Sequence, residues 1–380
     1  MNQSRLYLLT IGIFLFLFVI LTGVVEICLK WAAAAAAPER RDHVVETNYL
    51  PVKFKSNYDG QFWGIPFSTN RFGFRDEDFP ERPVSNEFRV MSLGDSIGFG
   101  LGVPLESHYT KVAERRLNPL PDHRTIRIIN AGGQGYSPSG YYVYLKHGGV
   151  DLLPHLVLVE IELCNDVTDE ALLRWDMRGD DGYPDRVVGG RYLVSWDGQL
   201  IGTYSTGSYF FEKSYLYTEF IRRLLFLGNR LFPRGVFHDE PGAQVYYSLG
   251  FDQYLLTSDR IESGWTRLFG ALKGIQTFCR KNDIDFVLML MPSRYLFENK
   301  EPYTSYAAKI FKRAVHMANA HNLPMLDIST VLEKEGGESL FFDFAHLTVE
   351  GNKAVGNALA EELSTRLKGK RYFQDAFLSR

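Results

Sequence analysis

The chain has 380 residues, which is enough for one large domain or two domains of ordinary size. Apolar residues make up 45% of the chain and charged residues 23%, a composition that supports a packed core and argues against wholesale disorder. The formal net charge of -3 argues against a nucleic-acid-binding protein, since such proteins usually carry a basic excess. The three cysteines do not make a disulfide framework.

The first predicted element is a membrane anchor within residues 1–30. Leu6–Val25 is an uncharged run of 20 residues, about the length that crosses a bilayer as a helix. Small residues at Ala32–Ala37 leave cleavage by a signal peptidase open, but the length of the apolar run favours an uncleaved anchor that contacts the membrane through residues 6–29. Charge does not settle on which side of the membrane the body of the chain lies. A strict positive-inside count would even place it in the cytoplasm.

Residues 31–83 are predicted to form a tether and an irregular strap ahead of the main domain. Ala32–Thr47 combines an alanine run, Pro38 and mixed charges, a composition typical of linkers. The next segment, Tyr49–Pro83, is rich in aromatic residues and turn formers. We expect it to pack on the domain without regular structure.

A main domain is predicted at residues 84–370, followed by a C-terminal tail at residues 371–380. Within this domain, from Phe88 onward, short apolar runs alternate with segments whose apolar residues have helical spacing. The predicted strands are Arg89–Leu93, Ile126–Ile129, Leu156–Ile161, Phe286–Met291 and Pro324–Asp327. The predicted helices are Leu105–Leu117, Ser139–His147, Ile261–Lys281, Tyr303–His321 and Val349–Leu367. This alternation is typical of a parallel sheet covered by helices on both faces. In such sheets the ligand site lies beyond the carboxyl ends of the strands.

One long stretch interrupts the alternation, between the third strand and its next helix. A connection of the length of Val167–Ser258 is usually functional or has its own substructure. Its many aromatic residues would stack on a sugar or line an acyl pocket, although a small core of the stretch itself is the simpler interpretation. We predict an aromatic-rich insertion, residues 167–258, at the rim of the site.

A serine follows the first predicted strand directly, in the tripeptide Gly94-Asp95-Ser96. Its hydroxyl would lie at the active edge of the sheet, near the start of a helix whose N–H groups favour negative charge. The hydroxyl still needs a base to become a useful nucleophile. By itself the tripeptide is more often a structural turn.

The next two strands are also followed by polar motifs. Asn130–Ser137 contains glycines, which allow a backbone N–H group to approach a ligand and stabilise a developing oxyanion. The Asn165 side chain, after the third strand, can donate from its amide to the same oxyanion, and Asp166 would brace the turn. A tight turn and an Asx-turn explain the two motifs without chemistry. A phosphate-binding loop is less favoured, because no lysine follows the glycines.

A carboxylate and a histidine stand close together near the C-terminus. Asp343, three residues before His346, can reach its imidazole, fix the tautomer and stabilise the imidazolium. The other ring nitrogen would then serve Ser96 as a general base. A capped helix start, with Thr348 leading into the last helix, explains the same residues equally well.

Together, in one chain order, these four motifs resemble the signature blocks of SGNH (GDSL-type) hydrolases, which carry Ser, Gly, Asn and His. The resemblance covers about residues 70–367 apart from the insertion. Asn70–Arg75 is similar to a membrane-tethered subgroup of that family. The resemblance implies an α/β fold, a flavodoxin-like three-layer α/β/α sandwich with about five parallel strands.

The same resemblance implies a role for each motif residue. Ser96 would be the nucleophile, with Asp343 and His346 as its partners. The oxyanion hole would consist of the backbone N–H groups of Ser96 and Gly135 and the side-chain amide of Asn165.

Two residues depart from the family pattern. Cys164 precedes Asn165 where the family often has glycine, a change that would affect the backbone of the hole. Leu347 follows His346 where proline is frequent, and this change matters less. Neither departure removes a catalytic group.

The expected function is that of a serine-dependent esterase or O-acyltransferase that works through an acyl-enzyme. Its expected substrate is an ester-linked acyl group of a glycan or lipid, with acetyl as the first candidate. The catalytic domain is expected outside the cytoplasm, periplasmic if the source is bacterial. No metal or cofactor is expected, since none of the nine histidines has a zinc-ligand spacing. The alternative is a catalytically silent SGNH-fold scaffold or glycan-binding subunit of a membrane complex. Protein partners and the choice between hydrolysis and transfer are not readable from the sequence.

Overall fold

The structure is a computed structural model that describes residues 3–36, 43–45, 47–50, 53–62, 65–118, 120, 124–133, 136–163, 165–188, 191–194, 200–204, 216, 258–301 and 303–368. The chain divides into two compact units. The smaller unit comprises Met1–Arg41, Gly190–Gly235 and Gln253–Leu255. The larger unit comprises Asp42–Gly189, Val236–Asp252 and Leu256–Arg380.

The strands are β1 (Val44–Val45), β2 (Lys53–Phe54), β3 (Asp59–Phe62), β4 (Ile65–Ser68), β5 (Glu87–Leu93), β6 (Thr125–Asn130), β7 (Leu156–Glu162), β8 (Arg174–Arg178), β9 (Pro184–Val188), β10 (Arg191–Val194), β11 (Leu200–Tyr204), β12 (Asp285–Met291) and β13 (Met325–Asp327). The helices are α1 (Gln3–Ala36), α2 (Ser96–Phe99), α3 (Tyr109–Leu117), α4 (Pro138–Tyr144), α5 (Asp166–Leu172), α6 (Ser258–Lys281), α7 (Tyr303–Ala320), α8 (Ser329–Glu335) and α9 (Val349–Lys368).

In the smaller unit, α1 is a single helix of 34 residues. Within the described part of the chain it is the one helix long and apolar enough to cross a membrane, over the 22 residues Thr10–Trp31. The helix continues to Ala36, past the predicted anchor at residues 1–30, because alanine is the strongest helix former. The same unit contains the antiparallel pair β10–β11.

The larger unit is built on a parallel sheet with the strand order β13-β12-β7-β5-β6. Counted along the chain, the sheet strands therefore follow the order 2-1-3-4-5, which is the flavodoxin-like arrangement. Every residue of β5 and β7 is buried, as expected for central strands covered on both faces. The predicted fold class and all five predicted strands are confirmed.

Helices cover both faces of this sheet. On one face, Leu156 and Leu158 of β7 pack in a cluster with Tyr109 of α3 and Val355 of α9. On the other side, α6 packs against α4, α5 and β12, and its Trp265 is almost fully buried. The sheet edge at the carboxyl ends of the strands is left for the loops that carry the predicted motifs.

The predicted strap contains two small antiparallel sheets, β1–β2 and β3–β4. Each of their strands has only two to four residues, too few for a period-2 pattern to stand out in the sequence. Phe54 and Phe67 of these strands form a buried cluster with Phe99 and Leu101, directly after the predicted nucleophile. The strap therefore packs on the segment that carries the site.

The predicted helix Leu105–Leu117 is divided in two. A 3₁₀ turn at Leu105–Ser107 precedes α3, and His108 between them has an extended backbone. The imidazole of His108 is buried and bonded to Thr110 and to the Ile97 carbonyl, so tertiary contacts outweigh the local helical propensity.

The first part of the predicted insertion belongs to the larger unit. It forms α5, which packs closely on α6, followed by the antiparallel pair β8–β9. Gly264 of α6 makes this approach possible, because a Cβ there would lie 2.2 Å from the Val167 carbonyl oxygen. Aromatic residues of the insertion such as Tyr209 and Tyr217 lie outside the described residues, and its position at the rim of the site stays a prediction.

Candidate active site

Ser96 lies at the carboxyl end of the central strand β5, as the first residue of the short helix α2. Asp95 caps this helix: its carboxylate accepts a hydrogen bond of 2.9 Å from the Ile97 N–H group. Asp95 is 1% exposed, whereas Ser96 is half-buried. Ser96 is therefore the partly exposed residue of a turn whose other residues are buried.

The far end of α2 is held by a residue of the strap. Arg75 donates hydrogen bonds to the carbonyl oxygens of Phe99, Gly100 and Val103. Gly100 has a φ of 83°, a left-handed conformation that favours glycine and ends the helix. Burial lowers the pKa of Arg75 to about 10, so the guanidinium stays charged at neutral pH. The sequence marks Asn70–Arg75 by resemblance alone and carries no signal for this contact with the nucleophile turn.

His108 is a second support of the same turn. Its Nε2 lies 3.1 Å from the Ile97 carbonyl oxygen and its Nδ1 lies 2.7 Å from the Thr110 hydroxyl. Burial lowers the pKa of His108 to about 3, so the imidazole is neutral and its Nε2–H group is free to donate to Ile97. The sequence contained no signal for this role, because it depends on folding of the loop after α2.

The structure brings the predicted nucleophile, base and carboxylate together. The His346 Nε2 atom lies 2.9 Å from the Ser96 hydroxyl oxygen. The His346 Nδ1 atom lies 2.7 Å from a carboxylate oxygen of Asp343. The two hydrogen bonds form one continuous chain from the Ser96 hydroxyl to the Asp343 carboxylate, although Ser96 and His346 are 250 positions apart in the sequence.

Asp343 is organised by its own loop. Its second carboxylate oxygen accepts backbone N–H groups of Ala345 at 2.9 Å and His346 at 2.7 Å. Burial alone raises the pKa of Asp343, but the hydrogen bond and charge of His346, together with these backbone donors, outweigh burial and lower the pKa overall. Asp343 is therefore ionised at neutral pH and able to stabilise an imidazolium.

An exposed aromatic ring lies beside the histidine. The Phe342 ring stacks on the His346 imidazole with centroids 5.6 Å apart, and it is 46% exposed. It also packs over Gly102, where a Cβ would lie 2.4 Å from the ring. Phe342 thus limits the rotation of His346 and faces solvent at the edge of the site.

The glycine-rich loop after β6 lies directly against the nucleophile turn. A Cβ on Gly132 would lie 2.2 Å from the Gly98 carbonyl carbon, so only glycine permits this approach. The Gly133 N–H group donates to the Gly94 carbonyl oxygen at 2.9 Å. Gly135, the predicted oxyanion donor of this loop, lies outside the described residues, so its role stays a prediction.

Asn165 lies at the carboxyl end of β7, next to the nucleophile turn. Its side-chain Nδ2 donates to carboxylate oxygens of Asp95 at 3.0 Å and Asp169 at 3.2 Å. Both amide hydrogens are thus engaged, and the sequence pattern gives no indication of this. Asp166 accepts the Glu162 N–H group at 2.8 Å and braces the turn, as predicted.

A group of carboxylates, all buried except the half-buried Asp169, surrounds Asn165 and underlies the nucleophile turn. Burial, followed by the charges of neighbouring acids, raises the pKa of Glu160, Asp166 and Asp169, in the last case to about 8. Burial also raises the pKa of Asp95, against the opposing hydrogen bonds from Ile97 and Asn165. Among the described residues, no cluster of His, Cys, Asp or Glu side chains is arranged to hold a metal ion.

The sequence did carry a signal for the acid beneath the turn. Glu160 and Glu162 alternate in an otherwise apolar strand and so share a face with Leu158. A Cβ on Gly94 would lie 2.4 Å from a Glu160 carboxylate oxygen, which places this acid directly below the Gly94-Asp95-Ser96 turn. Carboxylates at the end of a buried strand are rare enough to merit notice in a sequence.

Glu170 connects the glycine-rich loop to α5. Its carboxylate accepts the Ser137 hydroxyl at 2.8 Å, and the N–H and hydroxyl groups of Ser139 at 2.6 and 2.7 Å. The Trp175 indole N–H group donates to the Ser139 hydroxyl at 2.8 Å. The segments that follow β6 and β7 are therefore joined by one buried carboxylate.

No protein-family model matches the chain, and no curated protein matches it by sequence. Among solved structures, the chain is similar to an acetylxylan esterase from Geobacillus stearothermophilus, with 10% identity, a TM-score of 0.41 and coverage of 75% of this chain and 95% of the other. It is similar to a member of the lipolytic protein G-D-S-L family from Veillonella parvula, with 11% identity, a TM-score of 0.37 and coverage of 74% and 100%. A third similar structure is an alpha/beta hydrolase enzyme from the metagenome of Lake Arreo, Spain, with 10% identity, a TM-score of 0.37 and coverage of 73% and 95%. These names include the family that the motifs resemble, but at such identities and TM-scores the likeness carries no weight for function.

Proposed function

We propose that this chain is a serine-dependent esterase or O-acyltransferase with Ser96 as nucleophile, His346 as general base and Asp343 as the carboxylate that orients the base. The observation that supports the proposal is the continuous chain of hydrogen bonds, 2.9 Å from Ser96 to His346 and 2.7 Å from His346 to Asp343. Its geometry meets the two requirements of an activated nucleophile, a base in hydrogen-bond reach and a third group that holds the base.

In the first step, the Ser96 oxygen attacks the acyl carbonyl carbon while its proton passes to His346 Nε2. The carbonyl oxygen becomes an oxyanion, and ionised Asp343 stabilises the imidazolium through Nδ1. The bond to the departing alkoxide then breaks, and the imidazolium returns the proton to that oxygen. The product is an acyl-enzyme on Ser96.

In the second step, an incoming hydroxyl group attacks the acyl-enzyme, again with His346 as base. The bond between the acyl carbon and the Ser96 oxygen then breaks, and the imidazolium returns the proton to Ser96. Water as the acceptor completes hydrolysis, and a sugar hydroxyl group completes transfer. The same residues serve both outcomes, because the acceptor differs only in the group attached to its oxygen.

The oxyanion is proposed to accept hydrogen bonds from the backbone N–H groups of Ser96 and Gly135 and from the Asn165 amide. Asn165 lies beside the nucleophile turn, since it is bonded to Asp95, the residue before Ser96. Removal of a single donor of this kind typically lowers kcat by about 10²–10³.

The substrate is proposed to be an ester-linked acyl group, acetyl first, on a glycan or a lipid. The exposed Phe342 ring beside His346 offers an apolar surface for a sugar face or an acyl chain. Rates with acetylated glycans, short-chain esters and long-chain esters, each with water and with sugar acceptors, would separate these classes. Equal rates for all of them would contradict a glycan or lipid specificity.

Residues 6–29 are proposed to anchor the chain in a membrane, with the site on the extracytoplasmic side. The length and apolar composition of Thr10–Trp31 support the anchor. A C-terminal alkaline phosphatase fusion, which is active only outside the cytoplasm, is expected to be active. If the phosphatase fusion is inactive, and a reporter that fluoresces only in the cytoplasm is fluorescent when fused at the same position, the orientation is the opposite one.

The proposed nucleophile is tested by Ser96→Ala, with hydrolysis of p-nitrophenyl acetate as the measurement. Turnover is expected to fall to the background rate, because Ser96 supplies the hydroxyl group that is bonded to His346. Ser305→Ala, on the exposed face of α7, is the matched control and should keep full activity. Activity retained in Ser96→Ala would refute the assignment of the nucleophile.

Labelling with a fluorophosphonate separates the enzyme from the scaffold alternative. The folded wild-type protein is expected to form one adduct, on Ser96. A folded protein that forms no adduct would favour the scaffold or glycan-binding subunit.

A further inference from the structure

The amide of Asn165 is fully occupied before any substrate arrives. Its two Nδ2 hydrogens are donated to Asp95 and Asp169, at 3.0 and 3.2 Å. Its side-chain oxygen is buried and has no hydrogen-bond partner among the described residues. One of the two carboxylates must therefore release an N–H group if this amide is to stabilise an oxyanion.

The two carboxylates differ in their freedom to do so. Asp95 is 1% exposed, and its other oxygen is held by the Ile97 N–H group. Asp169 lies one helical turn after Asn165 on α5, is only half-buried, and makes the longer of the two bonds. The bond to Asp169 is consequently the one that can be exchanged for a substrate oxygen.

The groups around Asp169 are mostly acidic. Asp95 faces it from the nucleophile turn, and Asp166 and Glu170 lie on its own helix. From α6, Arg267 acts on Glu170, whose carboxylate is already bonded to Ser137 and Ser139.

From α4, the phenol of Tyr141 is close enough for Asp169 to raise its pKa, after burial and the charges of other acids. Tyr141 is therefore neutral and supplies no counter-charge to Asp169. The charges that act on Asp169 itself are those of Asp95 and Glu170, both of the same sign as its own.

We propose that Asp169 is a positioning residue that controls the Asn165 oxyanion donor: in its neutral form it releases the amide to the substrate, and in its ionised form it retains the amide and repels the oxyanion. This inference depends on the proposed ester chemistry, because it needs an oxyanion beside Asn165. Asp169 belongs to none of the four motifs, and yet it would control the hydrogen-bond donor Asn165, which belongs to one of them.

Two physical arguments support the control by charge. A hydrogen bond to an ionised acceptor is roughly twice as strong as one between neutral groups, so neutral Asp169 gives up the amide more easily. A carboxylate anion beside the forming oxyanion adds like-charge repulsion in a partly buried site. Burial and the charges of Asp95 and Glu170 raise the pKa of Asp169 to about 8, so its neutral form prevails at neutral pH and is lost as the pH rises.

The test compares wild type with Asp169→Asn in the full-length protein in detergent. The measurement is kcat/KM for p-nitrophenyl acetate, corrected for spontaneous hydrolysis, from neutral to alkaline pH. Wild-type kcat/KM is expected to fall about tenfold for each pH unit above a midpoint near 8, as for a single ionisation. Asp169→Asn keeps the shape and an acceptor oxygen without the ionisation, so this fall should be absent.

A control variant and a second neutral variant complete the design. Glu262→Gln removes an exposed acid on α6 and should keep the wild-type alkaline fall. Asp169→Ser is a second neutral replacement, and thermal unfolding identifies which variants are folded.

The outcomes distinguish this inference from the proposed function. An alkaline fall that persists unchanged in a folded neutral variant overturns the role of Asp169 but leaves the esterase in place. A loss of activity at every pH in both folded neutral variants also overturns it, because release of the amide should not lower activity. A wild type with neither activity nor a fluorophosphonate adduct at any pH would refute the proposed function itself.

Discussion

The two halves of the proposed catalytic site are held in opposite ways. The nucleophile turn is supported by residues from three other segments of the chain: Arg75 from the strap, His108 from the loop before α3, and Gly132 from the loop after β6. In the loop that carries the base, by contrast, backbone N–H groups of the loop itself orient the Asp343 carboxylate.

Three hydrogen bonds within Phe341–Leu347 show how this loop holds the carboxylate and the imidazole. Asp343 accepts backbone N–H groups two and three residues later. The Phe342 N–H group donates to the His346 carbonyl oxygen at 3.0 Å, beside an isolated bridge between Phe341 and Leu347. We infer that changes around the nucleophile affect stability and activity together, whereas a change of the Asp343 carboxylate affects mainly activity.

The largest expected effect tests the loop that carries Asp343 and His346. Asp343→Asn should lower kcat by about 10⁴, because the amide no longer fixes the His346 tautomer or stabilises the imidazolium. The thermal unfolding temperature should change little, since the amide oxygen can still accept the backbone N–H groups of the loop. Esterase assays and calorimetry of the same preparation measure both quantities.

Asp327→Asn is the matched control for that variant, because Asp327 also accepts a local N–H group, that of Ser329, at 2.8 Å. Its activity should equal that of wild type. A folded Asp343→Asn protein that keeps more than about a tenth of the wild-type kcat would contradict the triad.

A change in the glycine-rich loop tests the long-range half. In Gly132→Ala, the new methyl group would overlap the backbone of Gly98 and Phe99, with contacts of 2.2 and 2.4 Å. Overpacking against backbone typically costs about 1–3 kcal/mol, and the shift would displace Ser96 from His346. We expect a lower unfolding temperature and a loss of activity of about 100-fold or more.

Gly148→Ala is the control for the added methyl group, because a Cβ at Gly148 has no atom within 4 Å. It should be neutral or slightly stabilising, since alanine restricts the unfolded chain. Equal unfolding temperatures for the two alanine variants would show that the approach of the loop to α2 is not tight.

The smallest of the three effects concerns the strap. Arg75→Lys keeps the charge but cannot reach the three carbonyl oxygens that the guanidinium contacts. Hydrogen bonds from a charged donor contribute about 1.5–3 kcal/mol, and we expect a stability loss of that size with about a tenfold fall in kcat. A change in KM without a change in kcat would indicate that Arg75 does not position Ser96.

The matched control is Arg71→Lys, on the exposed side of the same strap, where the side chain contacts the Phe79 carbonyl oxygen. Its stability and kcat should stay close to those of wild type. If both lysine variants lose stability equally, the stability comes from the strap as a whole and not from the contacts of Arg75 with the end of α2.

The amino-acid sequence alone determined the parallel sheet and the candidates at its edge. Apolar runs such as Leu156–Ile161 predict buried strands, and the strand ends predict where Ser96 and Asn165 lie. The pair Asp343 and His346 was predictable because its spacing is local. Such features depend on periodicity and short separations, which a linear pattern records.

Only the tertiary structure decided how these residues are held and what competes for them. That Arg75 closes α2, that Glu170 joins α5 to the segment after β6, and that Asp95 shares the amide of Asn165 all depend on contacts between elements. The sequence does not distinguish a solvated carboxylate from one that is buried among other acids. Its protonation state, and with it the state of the oxyanion donor, is set by neighbours that only folding brings together.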